Sequence, residues 1–109
     1  SAASDVYKRQ VFTEVAKEEI EGIYKYISEN LYEIDAANRL MQKIENSILN
    51  LELYPYSCVE VHIKPNNEMY RRLLIDNFIA LYGVDEKYKQ VVIYRVIYGK
   101  TDYLNLIEE

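Results

Sequence analysis

The sequence is poor in the residues that build common catalytic and metal sites. Its 109 residues include one cysteine, one histidine, three glycines, two prolines and no tryptophan. One cysteine and one histidine are too few for a Cys/His zinc site, and three separated glycines exclude a glycine-rich phosphate loop. A lone Cys58 cannot form an internal disulfide, which favours a reducing compartment. We therefore expect a cytoplasmic protein without a metal or a cofactor.

Long hydrophobic runs are absent as well. No run approaches the roughly 20 apolar residues of a membrane-spanning helix, and no signal-peptide pattern is present, so we expect no membrane contact. A chain of 109 residues is long enough for one domain with its own core. Residues 1–10, SAASDVYKRQ, resemble the translation of a sequencing-library adapter. We interpret them as a non-native scar and residues 11–109 as a single domain.

The charge is acidic overall and unevenly distributed. The net charge is −5, and residues 13–54 hold nine acidic side chains against four basic ones. Residues 55–109 are nearly neutral, with eight acidic and seven basic side chains. Proteins that grip nucleic acid through phosphate contacts usually carry the opposite excess. Any contact with RNA or DNA must therefore depend on a local basic cluster.

Two stretches in the first half have the apolar spacing of amphipathic helices. Thr13 is a favourable N-cap for the first, over residues 14–30, and Pro55 marks the end of the second. The two stripes are Ala16, Ile20, Ile23, Tyr24, Ile27 and Leu31, and then Ala37, Leu40, Met41, Ile44, Ile48 and Leu51. They predict a helical hairpin. Paired carboxylates such as Glu18 and Glu19 are assigned to its solvated face.

Residues 69–99 carry the strongest β pattern. Three runs rich in Leu, Ile, Val, Phe and Tyr are separated by Asp76-Asn77 and by the polar residues 85–90. Short polar breaks between β-favouring runs predict hairpin turns and an antiparallel meander. In the third run, simple alternation predicts that one face carries four side chains, those of Val91, Ile93, Arg95 and Ile97.

Three flanking segments complete the predicted fold. Residues 59–63 alternate as a short edge strand does, and residues 102–107 fit a short terminal helix. Residues 6–12 fit either a first strand or a disordered tail, and the pattern leaves both open. The predicted class is α+β, with an N-terminal helical hairpin packed on a three- to four-stranded, mainly antiparallel sheet. Both faces of that sheet carry apolar residues, so the helices must cover one face and something must cover part of the other.

Basic and aromatic side chains interleave on the predicted sheet. The candidate residues are Tyr70, Arg71, Arg72, Arg95, Tyr98 and Lys100, with Tyr94 and Tyr103 nearby. Arg95 lies inside an apolar strand, where an unpaired charge is costly. It either pairs with an acid such as Asp76, Asp85 or Asp102, or lines with Arg71 a concave face for phosphate or an acidic partner. Arginine, lysine and tyrosine can also support RNA cleavage without a metal.

The chain resembles the RelE/ParE superfamily of type II toxin–antitoxin toxins. The matching residues are Phe12-Thr13, Ala16, Ile23, Tyr26-Ile27, Ala36-Ala37, Ile44, Ile48, Leu51, Tyr54-Pro55, Tyr70-Arg71, Leu73, Asn77-Phe78, residues 82–86, residues 95–100 and Asp102-Tyr103. No single piece is diagnostic, but their order and spacing are specific to the superfamily. The resemblance implies a small α+β toxin that a cognate antitoxin, encoded beside it, neutralises. It also implies either a homodimer or a heterotetramer with that antitoxin.

The resemblance implies two kinds of target. RelE-like members cut mRNA on the ribosome, and ParE-like members inhibit DNA gyrase. Here Tyr98 stands where many relatives have histidine, Thr101 follows Lys100 where a second basic residue is common, and the connector offers only Lys64 and His62. These departures and the acidic charge favour the ParE-like branch.

We therefore predict a growth-inhibiting toxin of the plasmid-stabilisation type that binds a cellular target, foremost DNA gyrase. One alternative is a metal-independent, ribosome-dependent mRNA endoribonuclease with catalytic Arg71, Arg95, Tyr98 and Lys100. The other is a degenerate member that only binds its antitoxin. Antitoxin or target binding is assigned to Tyr70, Arg71, Arg72, Arg95, Tyr98 and Lys100. The antitoxin tail is expected over the sheet, near Arg71 and Arg95, since the helix surface is acidic.

Overall fold

The first half of the chain folds as the predicted helical hairpin. The structure, a computed structural model, describes residues 9–105. Helix α1 spans Glu14–Lys25 and continues through one π-helical turn, Tyr26–Asn30. The hydroxyl oxygen of Thr13 accepts a hydrogen bond from the Ala16 N–H at 3.0 Å, which confirms the N-cap. Helix α2 spans Ile34–Leu49 and ends in a 3₁₀ turn, Asn50–Glu52.

The described residues form one five-stranded sheet. Its strands are β1 (Arg9–Phe12), β2 (Val59–Ile63), β3 (Glu68–Ile75), β4 (Phe78–Asp85) and β5 (Gln90–Tyr98). Their order is β1-β5-β4-β3-β2; β2 to β5 form an antiparallel meander, and β1 pairs parallel with β5. The α+β class is confirmed. The predicted count of three to four strands is too low.

The extra strand is the segment for which the sequence pattern left two hypotheses open. Arg9–Phe12 pairs with the first part of β5, so the strand hypothesis holds for these residues, and residues 6–8 lie outside the described range. Strand pairing uses backbone N–H and C=O groups, which any sequence supplies. That is why side-chain patterns alone left this strand undecided.

The turns of the meander agree with the predicted hairpins. Asp76 has a φ of 53° in the two-residue connection between β3 and β4, and Lys89 has a φ of 51° before β5. Asp and Asn tolerate this left-handed region better than most residues. The Nζ of Lys43 on α2 contacts the Asp76 carboxylate at 2.6 Å and so joins the first turn to the helical layer.

The main core lies between the helices and one face of the sheet, here called the helix-covered face. Its buried residues are Ala16, Leu40, Ile44, Ile48, Leu51, Ile75, Ala80, Tyr82, Val91, Ile93 and Val96. Tyr82 is fully buried, and its hydroxyl donates to the Pro55 carbonyl at 2.7 Å. Burial raises the pKa of Tyr82 well above its usual value, with a smaller contribution from the neighbouring Cys58 thiol.

The opposite face of the sheet, here called the second face, has its own smaller core. Its buried residues are Val61, Ile63, Ile79, Leu81 and Ile97. Tyr70 and Tyr103 pack against them, and the Lys64 N–H donates to the Leu104 carbonyl at 3.0 Å. The second face is thus covered in part from within the chain, since Leu74, which lies opposite Ile79, remains 63% exposed. The predicted terminal helix appears as one 3₁₀ turn, Tyr103–Asn105, and residues 106–107 lie outside the described range.

A β-bulge in β5 changes its alternation. Leu81 lies opposite Arg95, whereas the next residue, Tyr82, lies opposite Ile93, so Tyr94 is the extra residue. Val96 therefore joins Ile93 in the main core, and Ile97 turns to the second face. The prediction that alternation continues unbroken through Arg95 and Ile97 is wrong because it took no account of this inserted residue.

No helix within residues 9–105 has the length and apolar content needed to cross a membrane.

Candidate functional site

The outer edge of β5 is only partly paired with another strand. Strand β1 pairs with the four residues from Gln90 to Ile93. Beyond them, the Thr13 hydroxyl donates to the Tyr94 carbonyl at 2.9 Å, and the Glu19 Oε1 accepts the Val96 N–H at 2.8 Å. The Glu19 carboxylate thus occupies one backbone donor of an edge that has no neighbouring strand in this part of the molecule.

Arg95 lies at this edge and forms an ion pair with Glu19. Its Nε and Nη2 donate to Glu19 Oε2 at 2.9 and 2.6 Å. In the strand register, Arg95 lies opposite Leu81, whose side chain packs on the second face. The Arg95 guanidinium nevertheless contacts Glu19 of α1. The side chain therefore lies at the sheet edge rather than on either face.

The Glu19 contact changes two expectations from the sequence. Arg95 does form the expected kind of ion pair, but with an acid that was assigned to the solvated helix face; the Glu19 side chain is only 21% exposed. Two of the acids considered for Arg95 have other partners, since Asp76 contacts Lys43 and Asp85 accepts turn N–H groups. The residue missed here is Glu19. Nothing in the helical pattern distinguishes it from Glu18.

A groove of about 870 Å³, here called the edge groove, runs between α1 and the end of β5. Its apolar walls include Ile23, Tyr26, Ile27, Leu31, Phe78 and Tyr98, and Glu19 and Arg95 also line it. The Tyr98 ring contacts Phe78 edge to face, with centroids 5.9 Å apart, and remains 47% exposed. The groove combines exposed apolar side chains with an incompletely paired strand edge.

Arg71 lies away from this groove and is bound to the connector before β2. Its Nη1 donates to the carbonyls of Cys58 at 2.7 Å and Tyr56 at 3.3 Å, and its Nη2 lies 3.1 Å from the Glu60 carboxylate. Its guanidinium also lies 5.0 Å from the centroid of the Tyr56 ring. Only 14% of the Arg71 side chain is exposed.

Arg71 and Arg95 do not line a common concave face, so that interpretation is wrong. They lie on β3 and β5, which are separated by β4. Arg71 lies opposite Tyr82, in the main core, whereas Arg95 lies opposite Leu81, on the second face. The prediction assumed that the strands of Arg71 and Arg95 are neighbours and that both alternate regularly. It took no account of the intervening strand β4 or of the bulge at Tyr94.

Arg72, Lys100, Tyr98 and Tyr103 do come together, around a cavity of about 300 Å³ here called the Arg72 pocket. The Arg72 Nη1 donates to the Tyr103 hydroxyl at 2.8 Å. The Arg72 Nε is buried and has no hydrogen-bond partner among residues 9–105. Tyr98 also lines the edge groove, so the two depressions adjoin.

Tyr70 belongs to the cover of the second face. Its ring contacts Tyr94 edge to face, with centroids 5.1 Å apart, and its hydroxyl donates to Glu68. The pair spans β4 at Gly83, where an added Cβ would lie 3.1 Å from Tyr94 Cε2. The six candidate residues therefore divide among the connector, the second face, the Arg72 pocket and the sheet edge.

Within residues 9–105 no cluster of three or more His, Cys, Asp or Glu side chains could hold a metal ion. The charged side chains at the edge groove and the Arg72 pocket instead form an ion pair, Arg95 with Glu19, and a hydrogen bond, Arg72 to the Tyr103 hydroxyl.

The chain is similar to known toxins in sequence and in fold. A family profile described as the ParE toxin of the type II toxin–antitoxin system parDE matches residues 11–103. The solved chromosomal ParDE toxin–antitoxin system of P. aeruginosa superposes with a TM-score of 0.66 at 18% identity, covering 84% of this chain and 96% of that one. The toxin–antitoxin complex RelBE2 of Mycobacterium tuberculosis gives a TM-score of 0.55 at 18% identity, covering 85% and 92%. No curated protein sequence matches the chain.

Proposed function

This chain belongs to the ParE toxin family of type II toxin–antitoxin systems, and from that premise we propose that it arrests growth by binding DNA gyrase in the cytoplasm. A cognate antitoxin encoded beside it neutralises the toxin by binding the edge groove.

The main support for a protein-binding toxin is the arrangement of the two arginines predicted to be catalytic, Arg71 and Arg95. Cleavage of RNA without a metal requires several cations around one phosphate and a group that moves a proton. Arg71 and Arg95 are separated by β4, and each is bound to a carboxylate of its own chain. Together with the net charge of −5, this arrangement favours a toxin that acts by protein contacts over a nuclease.

The edge groove has the properties of a site for an extended or helical peptide segment. An incompletely paired strand edge can accept a partner strand, and an apolar groove beside it can accept that partner's side chains. Tyr26 and Leu31 are 56% and 47% exposed at its wall, although both are large and apolar. Both solved relatives are toxin–antitoxin complexes, which supports an antitoxin as the occupant.

The proposed position of the antitoxin differs in part from the one expected from charge alone. The groove lies near Arg95, as expected, but not near Arg71. It also includes a wall of α1, so an acidic helix surface does not keep the tail away from the helices. The wall residues are apolar, with the Glu19 carboxylate bound to Arg95 and Val96.

Expression of the full chain in bacteria, with and without the neighbouring reading frame, tests this function. We expect growth arrest with induction of the DNA-damage response, because a poisoned gyrase leaves broken DNA, and relief when the antitoxin is co-expressed. Arrest accompanied by ribosomal A-site cleavage of mRNA in toeprinting, with no damage response, would instead identify a nuclease. Normal growth of cells that contain folded, soluble chain would identify a degenerate member.

A further inference from the structure

Among the three arginines of β3 and β5, Arg72 is the one without an ion pair within residues 9–105. Within residues 9–105, Arg71 pairs with Glu60 and Arg95 with Glu19, but no ion pair includes Arg72. Its Nη1 meets a neutral hydroxyl, that of Tyr103, and its buried Nε meets no acceptor. Partly buried charges are normally paired, and an unmet donor costs free energy. The arrangement leaves the guanidinium charge of Arg72 without a carboxylate partner among residues 9–105.

A second cation borders the same cavity. Lys100, in the turn after β5, lines the Arg72 pocket and likewise takes part in no ion pair within the described residues. Leu74, Phe78 and Ile79 supply apolar walls. A guanidinium fork and an ammonium group around a small, partly apolar cavity are suited to one oxyanion.

The surroundings favour a carboxylate over a nucleic-acid phosphate. Nucleic acids are held by a series of cations that follow the backbone, whereas this pocket offers two and also borders Asp76. The cavity of about 300 Å³ is sufficient for a single acidic side chain between apolar contacts. The overall charge of −5 adds repulsion against a polyanion but much less against one carboxylate.

The pocket and the edge groove share three lining residues, Asn77, Phe78 and Tyr98, so the two depressions adjoin at the start of β4 and the end of β5. We infer that the Arg72 pocket, with Arg72 and Lys100, binds one acidic side chain of the antitoxin segment that fills the edge groove. This inference depends on the proposed function for the identity of the partner. The inference predicts that the antitoxin segment has an acidic residue flanked by apolar residues. One of these apolar residues would contact Tyr98.

A peptide titration of the purified full chain tests the site without the antitoxin. The probe is the capped tripeptide acetyl-Leu-Glu-Leu-amide, and the neutral acetyl-Leu-Gln-Leu-amide is its matched control. We expect a saturable shift of the Arg72 Nε–H signal in ¹H–¹⁵N NMR spectra with the Glu peptide and none with the Gln peptide. Lys100→Gln should weaken binding about tenfold, since a charge-assisted hydrogen bond is lost.

Two further variants separate binding from folding. Arg72→Met should abolish binding, monitored in that variant by the backbone amides of the pocket, while leaving the Tm unchanged or higher. Lys87→Gln removes an equal charge in the turn between β4 and β5, at the other end of these strands from Lys100, and should leave binding unchanged. If the Lys87 and Lys100 variants weaken binding equally, general electrostatic attraction explains the result and the site is rejected.

Two other results would overturn the inference. The first is no saturable shift with the Glu peptide. The second is tighter binding of inorganic phosphate than of the Glu peptide, which would indicate a nucleic-acid contact. Because the titration uses the toxin alone, its failure is distinguishable from a failure to arrest growth.

Discussion

At the scale of single residues, the three arginines of β3 and β5 occupy three different environments. Arg71 is held by two carbonyls and Glu60, and Arg95 by Glu19 at the sheet edge. Arg72 has a neutral partner and a buried Nε without one. Adjacent positions in one strand therefore carry a structural arginine and one whose charge is available to a partner.

The contrast between Arg71 and Arg72 predicts opposite effects on stability. Arg71→Met leaves two carbonyls and a carboxylate without their donor, and we expect the free energy of unfolding to fall by about 2–3 kcal/mol. Arg72→Met removes an uncompensated charge from a partly buried position, and we expect the free energy of unfolding to stay the same or to rise by up to about 1 kcal/mol. Urea unfolding followed by circular dichroism measures both. A loss of the same size in both variants would contradict this account of Arg72.

Tyr82 predicts a pH dependence in the alkaline range. Burial favours its neutral form and raises its pKa above the ordinary value of about 10, so the folded state holds a proton that the unfolded state releases first. The stabilisation is fully present below the unfolded pKa and is lost as pH rises toward the folded one. We expect the free energy of unfolding to decline above about pH 10.

The matched pair of variants for this prediction is Tyr82→Phe and Tyr32→Phe. Tyr82→Phe should cost about 1 kcal/mol at neutral pH through the lost hydrogen bond to Pro55, and should show a shallower alkaline decline. Tyr32 is 87% exposed, so its variant should keep the original pH profile. Identical alkaline declines in the two variants would show that other groups cause the effect.

At the scale of elements, the proposed antitoxin-binding surface depends on the end of β5 and the helix beside it. The short strand β1 leaves the outer edge of the last part of β5 without a partner strand among residues 9–105, and Arg95 lies at this edge beside the bulge at Tyr94. Helix α1 follows β1 and supplies both Glu19 and the apolar groove wall. The site is thus a consequence of strand length and register.

Substitutions on the groove wall test this element directly. Tyr26→Ala and Leu31→Ala remove exposed apolar groups of the edge groove, and we expect each to weaken antitoxin binding about tenfold without unfolding the chain. Leu53→Ala and Tyr32→Ala are the matched controls, since both side chains are exposed outside the groove. Isothermal titration of the purified pair provides the affinities. Equal losses in groove and control variants would exclude the groove as the binding site.

The same elements show how far the sequence could take the prediction. The helices and the meander follow from local periodicity and turn residues, and Thr13 and Asp76 fulfil their expected roles. The bulge lies inside an unbroken β-favouring run with no glycine or proline to mark it. The Arg95–Glu19 pair joins residues 76 positions apart, and nothing in either segment encodes that contact locally.

At the scale of the whole molecule, the acidic charge and the fold support the same function. A net charge of −5 opposes extended contacts with nucleic acid, and Arg71 and Arg95 are paired with carboxylates of the chain. The exposed apolar groove and the partly buried guanidinium of Arg72, which has no ion pair within residues 9–105, are features that a protein partner can use. Membership of the ParE toxin family then makes an antitoxin and DNA gyrase the partners to test.

The most direct test of the proposed function is a DNA cleavage assay with purified gyrase and the full chain. We expect the chain to increase the amount of DNA trapped in cleaved gyrase complexes, and equimolar antitoxin to reverse the increase. A parallel translation reaction should show no A-site cleavage of mRNA. Unchanged gyrase activity at all toxin concentrations, together with cleavage of mRNA on the ribosome, would contradict the proposed function.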